Sequence, residues 1–340
     1  MKYHRFLKIY FIIGYILIAM ALNAQKSEWV EYKGTTGAGQ GKHIVFISGD
    51  EEYRSEEALP MLAKILSKKY GFTCTVLFSI DPKTGMIDPK NQTNIPGLNN
   101  LDNADLMFMS LRFRELPDDQ TKYIDNYLGS GKPVIGLRTS THAFNYTRNK
   151  ESKYARYDFK SIVEGWEDGF GRRILGETWV DHHGKHGKEG TRGLINGIEQ
   201  NVKNPLLNGV KDIWCATDVY SVRELPANAR ILIFGQPTKG MTPDAPVNTD
   251  KSLMPVAWTR SYLSPSGKEG KVFATTMGAS VDLVNEDLRR LLVNAVFWTL
   301  DMENKIPGKA DVEFVGEYKP TMFGFDSYTR KIYPSYFEMK

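Results

Sequence analysis

Three groups of residues supply the chemistry that this 340-residue chain can offer. The first follows the apolar run Pro133-Val134-Ile135-Gly136-Leu137 and contains Arg138, Ser140 and His142. That pattern reads as a buried strand, a sharp elbow at Arg138 and then a helix, with His142 one turn beyond the elbow. A guanidinium has five fixed donors and no usable lone pair. It therefore binds anions and polar oxygens and does not attack a carbonyl. His142 is the matching candidate for moving protons. The second group lies in Gly176-Glu177-Thr178-Trp179-Val180-Asp181-His182-His183-Gly184-Lys185-His186, which holds three of the six histidines. His182, His183 and His186 are candidate ligands for a divalent metal, with Asp181 or Glu177 as an oxygen donor, although the spacing matches no diagnostic zinc pattern. Acid/base work by His182 and His183 is the alternative reading, and a plain exposed loop is a third. Trp179 offers an apolar face on which a sugar ring can stack. The third group is charged: Asp50, Glu51, Glu52 and Arg54 after one strand, Arg112 and Arg114 after another. Asp50, Glu52, Arg54, Arg112 and Ser140 are the candidate substrate contacts, whereas Glu56 and Glu57 read as acids favouring a helix N-terminus.

These groups need a scaffold that brings strand ends together. His43–Ser48, Phe72–Phe78, Ala104–Ser110 and Pro133–Leu137 are nearly continuous apolar runs, and amphipathic segments separate them. Such alternation predicts an α/β fold with a parallel sheet covered by helices on both faces. In sheets of that kind ligands collect beyond the carboxyl ends of the strands, where the three groups would converge. One helix is expected from Ser55, which would cap it, with Pro60 pushing its true start toward Leu59. A second is expected from Pro117-Asp118-Asp119 and a third over Asn285–Leu300, where Leu288, Leu291, Leu292, Ala295 and Val296 fall at helical spacing. Residues 145–213 are glycine-rich and weakly periodic, as an active-site insertion would be. Residues 303–340 read as an irregular arm pinned by aromatics.

The N-terminus reads as a signal peptide over residues 1–24: Lys2, Arg5 and Lys8 precede an apolar run, and Ala24 offers a cleavage point. A flexible lead-in over 25–42 then precedes the folded domain. Losing three cations with residues 1–24 lowers the net charge from +4 to about +1. That balance calls for neither nucleic acid nor, after cleavage, a membrane, and it places the chain in the periplasm or outside the cell. Cys74 and Cys215 read as separate buried residues rather than a bridge. The Gly34–Gly39 cluster precedes the first strand instead of following it, which argues against a dinucleotide-binding loop.

The segments Ile47–Ser55 and Gly136–Phe144, Leu175–Trp179 with His182-His183, and Arg289–Ala295 resemble the trehalose-utilisation (ThuA-like) family over about residues 43–302. The resemblance implies a flavodoxin-like, class I glutamine amidotransferase-like fold. In amidotransferases of that superfamily the elbow carries a cysteine followed by Gly-His; Arg138 in its place implies different chemistry. Many ThuA-like proteins carry a histidine where this chain has Arg138. The family connection implies an enzyme of disaccharide or glycoside catabolism, acting on 3-keto sugars that a partner dehydrogenase makes. On that basis Arg138, helped by Arg112, is expected to hold a carbonyl or enolate oxygen, while His142 with His182 or His183 moves protons in an elimination or hydrolysis. A non-catalytic carbohydrate-binding protein and a metal-dependent hydrolase using His182, His183 and His186 are the rival expectations.

Overall fold

Strand β2 (His43–Gly49) shows why the sheet is buried on both sides. Ile44 and Phe46 enter one apolar cluster, while Val45 and Ile47 enter the other. Side chains alternate across a strand, so a continuous apolar run needs cover on each face. A computed structural model describes residues 27–195, 201 and 203–339 and shows that cover. Helices α1 (Ser55–Tyr70) and α3 (Glu286–Thr299) pack into the first cluster, and α2 (Asp118–Gly129) packs into the second.

The remaining strands are β1 (Trp29–Tyr32), β3 (Thr73–Phe78), β4 (Leu106–Leu111), β5 (Val134–Leu137), β6 (Thr191–Leu194), β7 (Ile213–Cys215), β8 (Arg230–Pro237), β9 (Met254–Leu263) and β10 (Glu269–Thr275). They form one sheet in the order β1-β3-β2-β4-β5-β10-β9-β8-β6-β7. From β3 to β10 the neighbours run parallel. The expectation of a parallel sheet needs correction beyond that point, because β10, β9, β8, β6 and β7 pair antiparallel in turn. The tight turn around Ser264–Lys268 joins β9 to β10, and a connection that short returns the chain antiparallel.

Other local expectations also shift. The lead-in contributes β1, which pairs antiparallel with β3. Pro60 lies inside α1, which starts at Ser55 and is preceded by Arg54 in a left-handed conformation (φ 61°) with no side-chain cap. The Ser55 hydroxyl instead meets that of Ser48, at 2.8 Å. Gly71, at φ 80°, ends the helix where an L side chain would be strained. The third helix is capped by Asn285, whose side chain accepts from the Leu288 amide. Cys74 and Cys215 are buried and unbridged. Among its described residues the arm has only short 3-10 turns, at Glu303–Lys305 and Pro334–Phe337. Its aromatics hold it in place: Phe337 stacks on Phe78, with centroids 5.6 Å apart, and the Tyr318 hydroxyl donates to the Ser280 carbonyl. Among the described residues no helix is long and apolar enough to cross a membrane. The signal-peptide segment lies outside the described residues.

Candidate active site

The elbow after β5 has the expected sharp turn, but a 3-10 turn over Arg138–His142 follows it rather than a long helix. Arg138 itself has φ 40°, a conformation rare for a residue with a side chain. Its guanidinium is fully buried. Nη1 donates to the carbonyls of Thr276 (2.7 Å) and Asp218 (3.1 Å), and Nη2 to the Asp218 carboxylate (3.0 Å) and the Tyr53 hydroxyl (3.1 Å). The rings of Tyr53 and Tyr220 lie 4.1 and 4.2 Å from its central carbon. With both terminal nitrogens engaged, Arg138 does not offer the substrate-oxygen contact expected of it. It instead fixes Asp218.

Asp218 is the residue that sequence reasoning missed. It follows β7, is 1% exposed, and gathers two histidines as well as the arginine. His182 Nδ1 lies 2.6 Å from Oδ2, and His186 Nδ1 lies 3.2 Å from Oδ1. The histidine loop reaches it because His182 and Tyr220 form an isolated antiparallel bridge and the Ser221 amide donates to the Asp181 carbonyl. From below, Asp282 accepts from the Thr217 amide and hydroxyl and from the amides of Gly278 and Ala279, tying this segment to the end of β10. Burial works to raise the Asp218 pKa, but hydrogen bonds from His182 and His186 and the Arg138 charge outweigh it and hold the carboxyl well below its usual range. Asp218 is thus a permanent anion in the site.

The ring of His182 is part-exposed, and its Nε2 has no partner among the described residues. His186 Nε2 lies 3.2 Å from the Glu52 carboxylate, and its pKa is raised chiefly by the Asp218 hydrogen bond. Glu52 also faces Arg112 Nε at 3.4 Å. Burial, then Asp50, raises the Glu52 pKa. The Arg112 guanidinium is part-exposed, bridges to Glu51 and sits 4.5 Å from the Phe113 ring centre. Glu52 and Arg112 therefore lie beside the His186–Asp218 cluster.

His142 lies behind this cluster. Its ring centre is 5.3 Å from Trp179 and 6.2 Å from Tyr220, the two aromatics that also flank His182, at 5.7 and 5.4 Å. Burial, and then the charges of Arg112, Arg138 and His182, push its pKa well below the usual value, so it is a neutral imidazole at neutral pH. Trp179 neighbours both histidines, and its buried indole N–H has no hydrogen-bond partner among the described residues.

Other expected site residues face elsewhere. His183 points to the Ser252 carbonyl, 2.8 Å from Nε2, and takes no part in the metal-compatible group, which consists of His182, His186 and Asp218 with ligand atoms within 4.8 Å of one another. The oxygen donor is Asp218 rather than Asp181 or Glu177. Asp181 holds the His182 amide, and Glu177 is buried against Arg223. Asp50 accepts from the amides of Glu52 and Tyr53 and from the Thr139 hydroxyl, clamping the β2 loop to the elbow. Ser140 donates to the Met109 carbonyl and accepts from the Leu111 amide. Arg54 is fully buried and directed at the C-terminal arm. Each of these three was expected to meet substrate. Their polar atoms lie instead in internal hydrogen bonds, because loops at buried strand ends must satisfy their own backbone.

The family model for trehalose utilisation (ThuA) matches residues 43–299, and the chain belongs to that family. Among solved structures, a ThuA-like protein from Bacteroides uniformis ATCC 8492 is 12% identical (TM-score 0.47), with 79% of this chain and 95% of that chain covered. A ThuA-like protein from Parabacteroides merdae ATCC 43184 is 15% identical (TM-score 0.46), with 76% of this chain and 90% of that one covered. A comparison with curated proteins gives no match.

Proposed function

We propose that this chain is an exported carbohydrate-processing enzyme that acts on a disaccharide or glycoside, or on its 3-keto derivative, by acid/base chemistry. The observation that carries the reading is the Asp218–His182 pair. A carboxylate held ionised by its histidine hydrogen bonds and by Arg138 orients Nδ1 of an imidazole whose Nε2 has no partner among the described residues. That is how a general base is built, with its tautomer fixed by the partner of its other nitrogen. A 3-keto group acidifies the neighbouring C–H. His182 would take that proton, and Arg112, the guanidinium at this cluster that keeps exposed surface, would hold the enolate oxygen. The leaving glycosidic oxygen then departs with a proton from His186, whose raised pKa suits an acid. No protein nucleophile is needed. The parallel strand order β3-β2-β4-β5-β10 supports the flavodoxin-like reading of the core. In this scheme a sugar oxidoreductase supplies the keto substrate.

The test is incubation with disaccharides and their 3-keto forms, read by mass spectrometry. Cleavage that is lost in His182→Ala supports the proposal. No product from any member of the panel, or equal turnover by the variant, removes it.

A second reading has its own observation: the ligand atoms of His182, His186 and Asp218 are close enough to share one divalent cation. Such an ion would polarise a sugar carbonyl as a Lewis acid. Stoichiometric metal in the purified protein, lost together with activity on chelation, would favour it over the metal-free pair. A sugar-binding protein without turnover would bind the same panel and release no product.

A further inference from the structure

The trehalose-utilisation match ends at residue 299, yet the site does not. Residues 321–327 of the arm run past its mouth and are held there by the charged loop after β2. Arg54 donates to the Thr321 hydroxyl (3.2 Å), the Gly324 carbonyl (2.6 Å) and the Ser327 hydroxyl. Glu57 accepts from the Thr321 amide and hydroxyl, at 2.8 and 2.7 Å, and the Gly324 amide donates to the Glu52 carbonyl at 2.8 Å. A fully buried arginine with this many bonds to one segment marks a fixed wall rather than a loose tail.

Two phenylalanines flank Gly324. Phe323, 9% exposed, packs 5.4 Å from Tyr53 and 5.7 Å from His186, closing the side of the proton-transfer cluster. Phe325 is 54% exposed and has the Arg112 guanidinium 5.1 Å from its ring centre. Arg112 is therefore bracketed by Phe113 and Phe325, and Phe325 keeps an open aromatic surface next to a guanidinium that binds oxygen. An apolar ring beside hydrogen-bond donors suits a pyranose, whose C–H face stacks while its hydroxyls bond at the edge.

We propose that the arm completes the substrate site and that Phe325 is the stacking platform for the second sugar ring of a disaccharide, the ring that leaves. Arg54 and Glu57 are positioning residues for that platform. The inference rests on the glycoside reading above and adds the subsite that selects two rings over one.

The test compares binding of trehalose and methyl α-glucoside to wild type, Phe325→Ala, Phe325→Trp and Tyr336→Ala, by calorimetry. Tyr336 is an exposed arm residue, 66% accessible, and serves as a control. Expected is a loss of about tenfold in trehalose affinity for Phe325→Ala, with recovery in Phe325→Trp and no change in Tyr336→Ala. Methyl α-glucoside affinity should be the same in all four. Wild-type trehalose binding that Phe325→Ala leaves intact would overturn the arm subsite alone. A parallel loss for both ligands would make Phe325 a general wall and also overturn it. Absence of binding to wild type by trehalose and by its 3-keto form alike would overturn the glycoside reading together with it.

Discussion

The elbow loop and the histidine loop meet at Asp218 and are built in opposite ways. In the elbow, Arg138, Thr139, Ser140 and His142 are all buried, and every hydroxyl or guanidinium contact described for them is internal. In the histidine loop, His182 and His186 are part-exposed and keep ring nitrogens directed at acids or left open. In the proposed mechanism the elbow is therefore foundation and the other loop working surface. A buried cation at the end of β5 serves here as a strut, and the part-exposed polar groups come from a neighbouring loop.

The sharpest way to break that contrast is a pair of substitutions. His182→Ala should lower turnover by roughly two to four orders of magnitude, the usual worth of a positioned general base. Ser140→Ala should leave kcat within about twofold and cost about 1 kcal/mol of stability, the net worth of one internal hydrogen bond. Equal losses of turnover would erase the division between foundation and surface. Arg138→Met comes next. It leaves Asp218 charged and buried without its fully buried cation, so a loss of about 3–5 kcal/mol in chemical denaturation is expected. A fall in turnover with unchanged stability would instead return Arg138 to a direct role.

A further effect concerns pH and the buried acid nearest the β2 loop. Glu56 is 2% exposed, neither carboxylate oxygen has a partner, and burial pushes its pKa up to about 8. The folded state therefore keeps a proton that the unfolded chain releases near 4.5. Stability should fall as pH rises from about 4.5 toward 8, by up to about 1.4 kcal/mol per pH unit. Glu56→Gln should flatten that slope. A wild-type slope that persists unchanged in the variant would assign it to another group.

Much of the scaffold was legible because apolar runs and helical spacing are local signals. The runs at β2, β3, β4 and β5 and the Leu288–Val296 stripe fell where strands and a helix stand. Strand direction in the second half was not, although Asp212–Val222, Arg230–Phe234, Met254–Thr259 and Lys271–Thr276 read as regular structure: an apolar run carries no direction, and β6, four residues long, takes its place only by pairing with β8 on one side and β7 on the other. The histidine cluster was visible from composition, and His182, His186, Glu52 and Arg112 do meet. Asp218 was not visible: one carboxylate among forty acids becomes special only when a bridge to Tyr220 brings the histidines over it. The burial of Arg54, Asp50, Ser140 and Arg138 was equally hidden, because a charged loop at a strand end looks the same whether it faces water or braces its own backbone. Glu56 shows the converse. It reads as an ordinary first-turn acid, and it lies in that turn, yet it is almost fully buried.

Asp282 couples two events that need not have been linked. Its carboxylate joins the turn leading into the last helix to the residue just ahead of Asp218. Loosening of the chain's C-terminal third would therefore release the anion from beneath its imidazoles while the central strands still hold. Amide exchange at Thr217 and Gly278 should rise together and keep pace with thermal inactivation, well before the amides of β2 and β4 open.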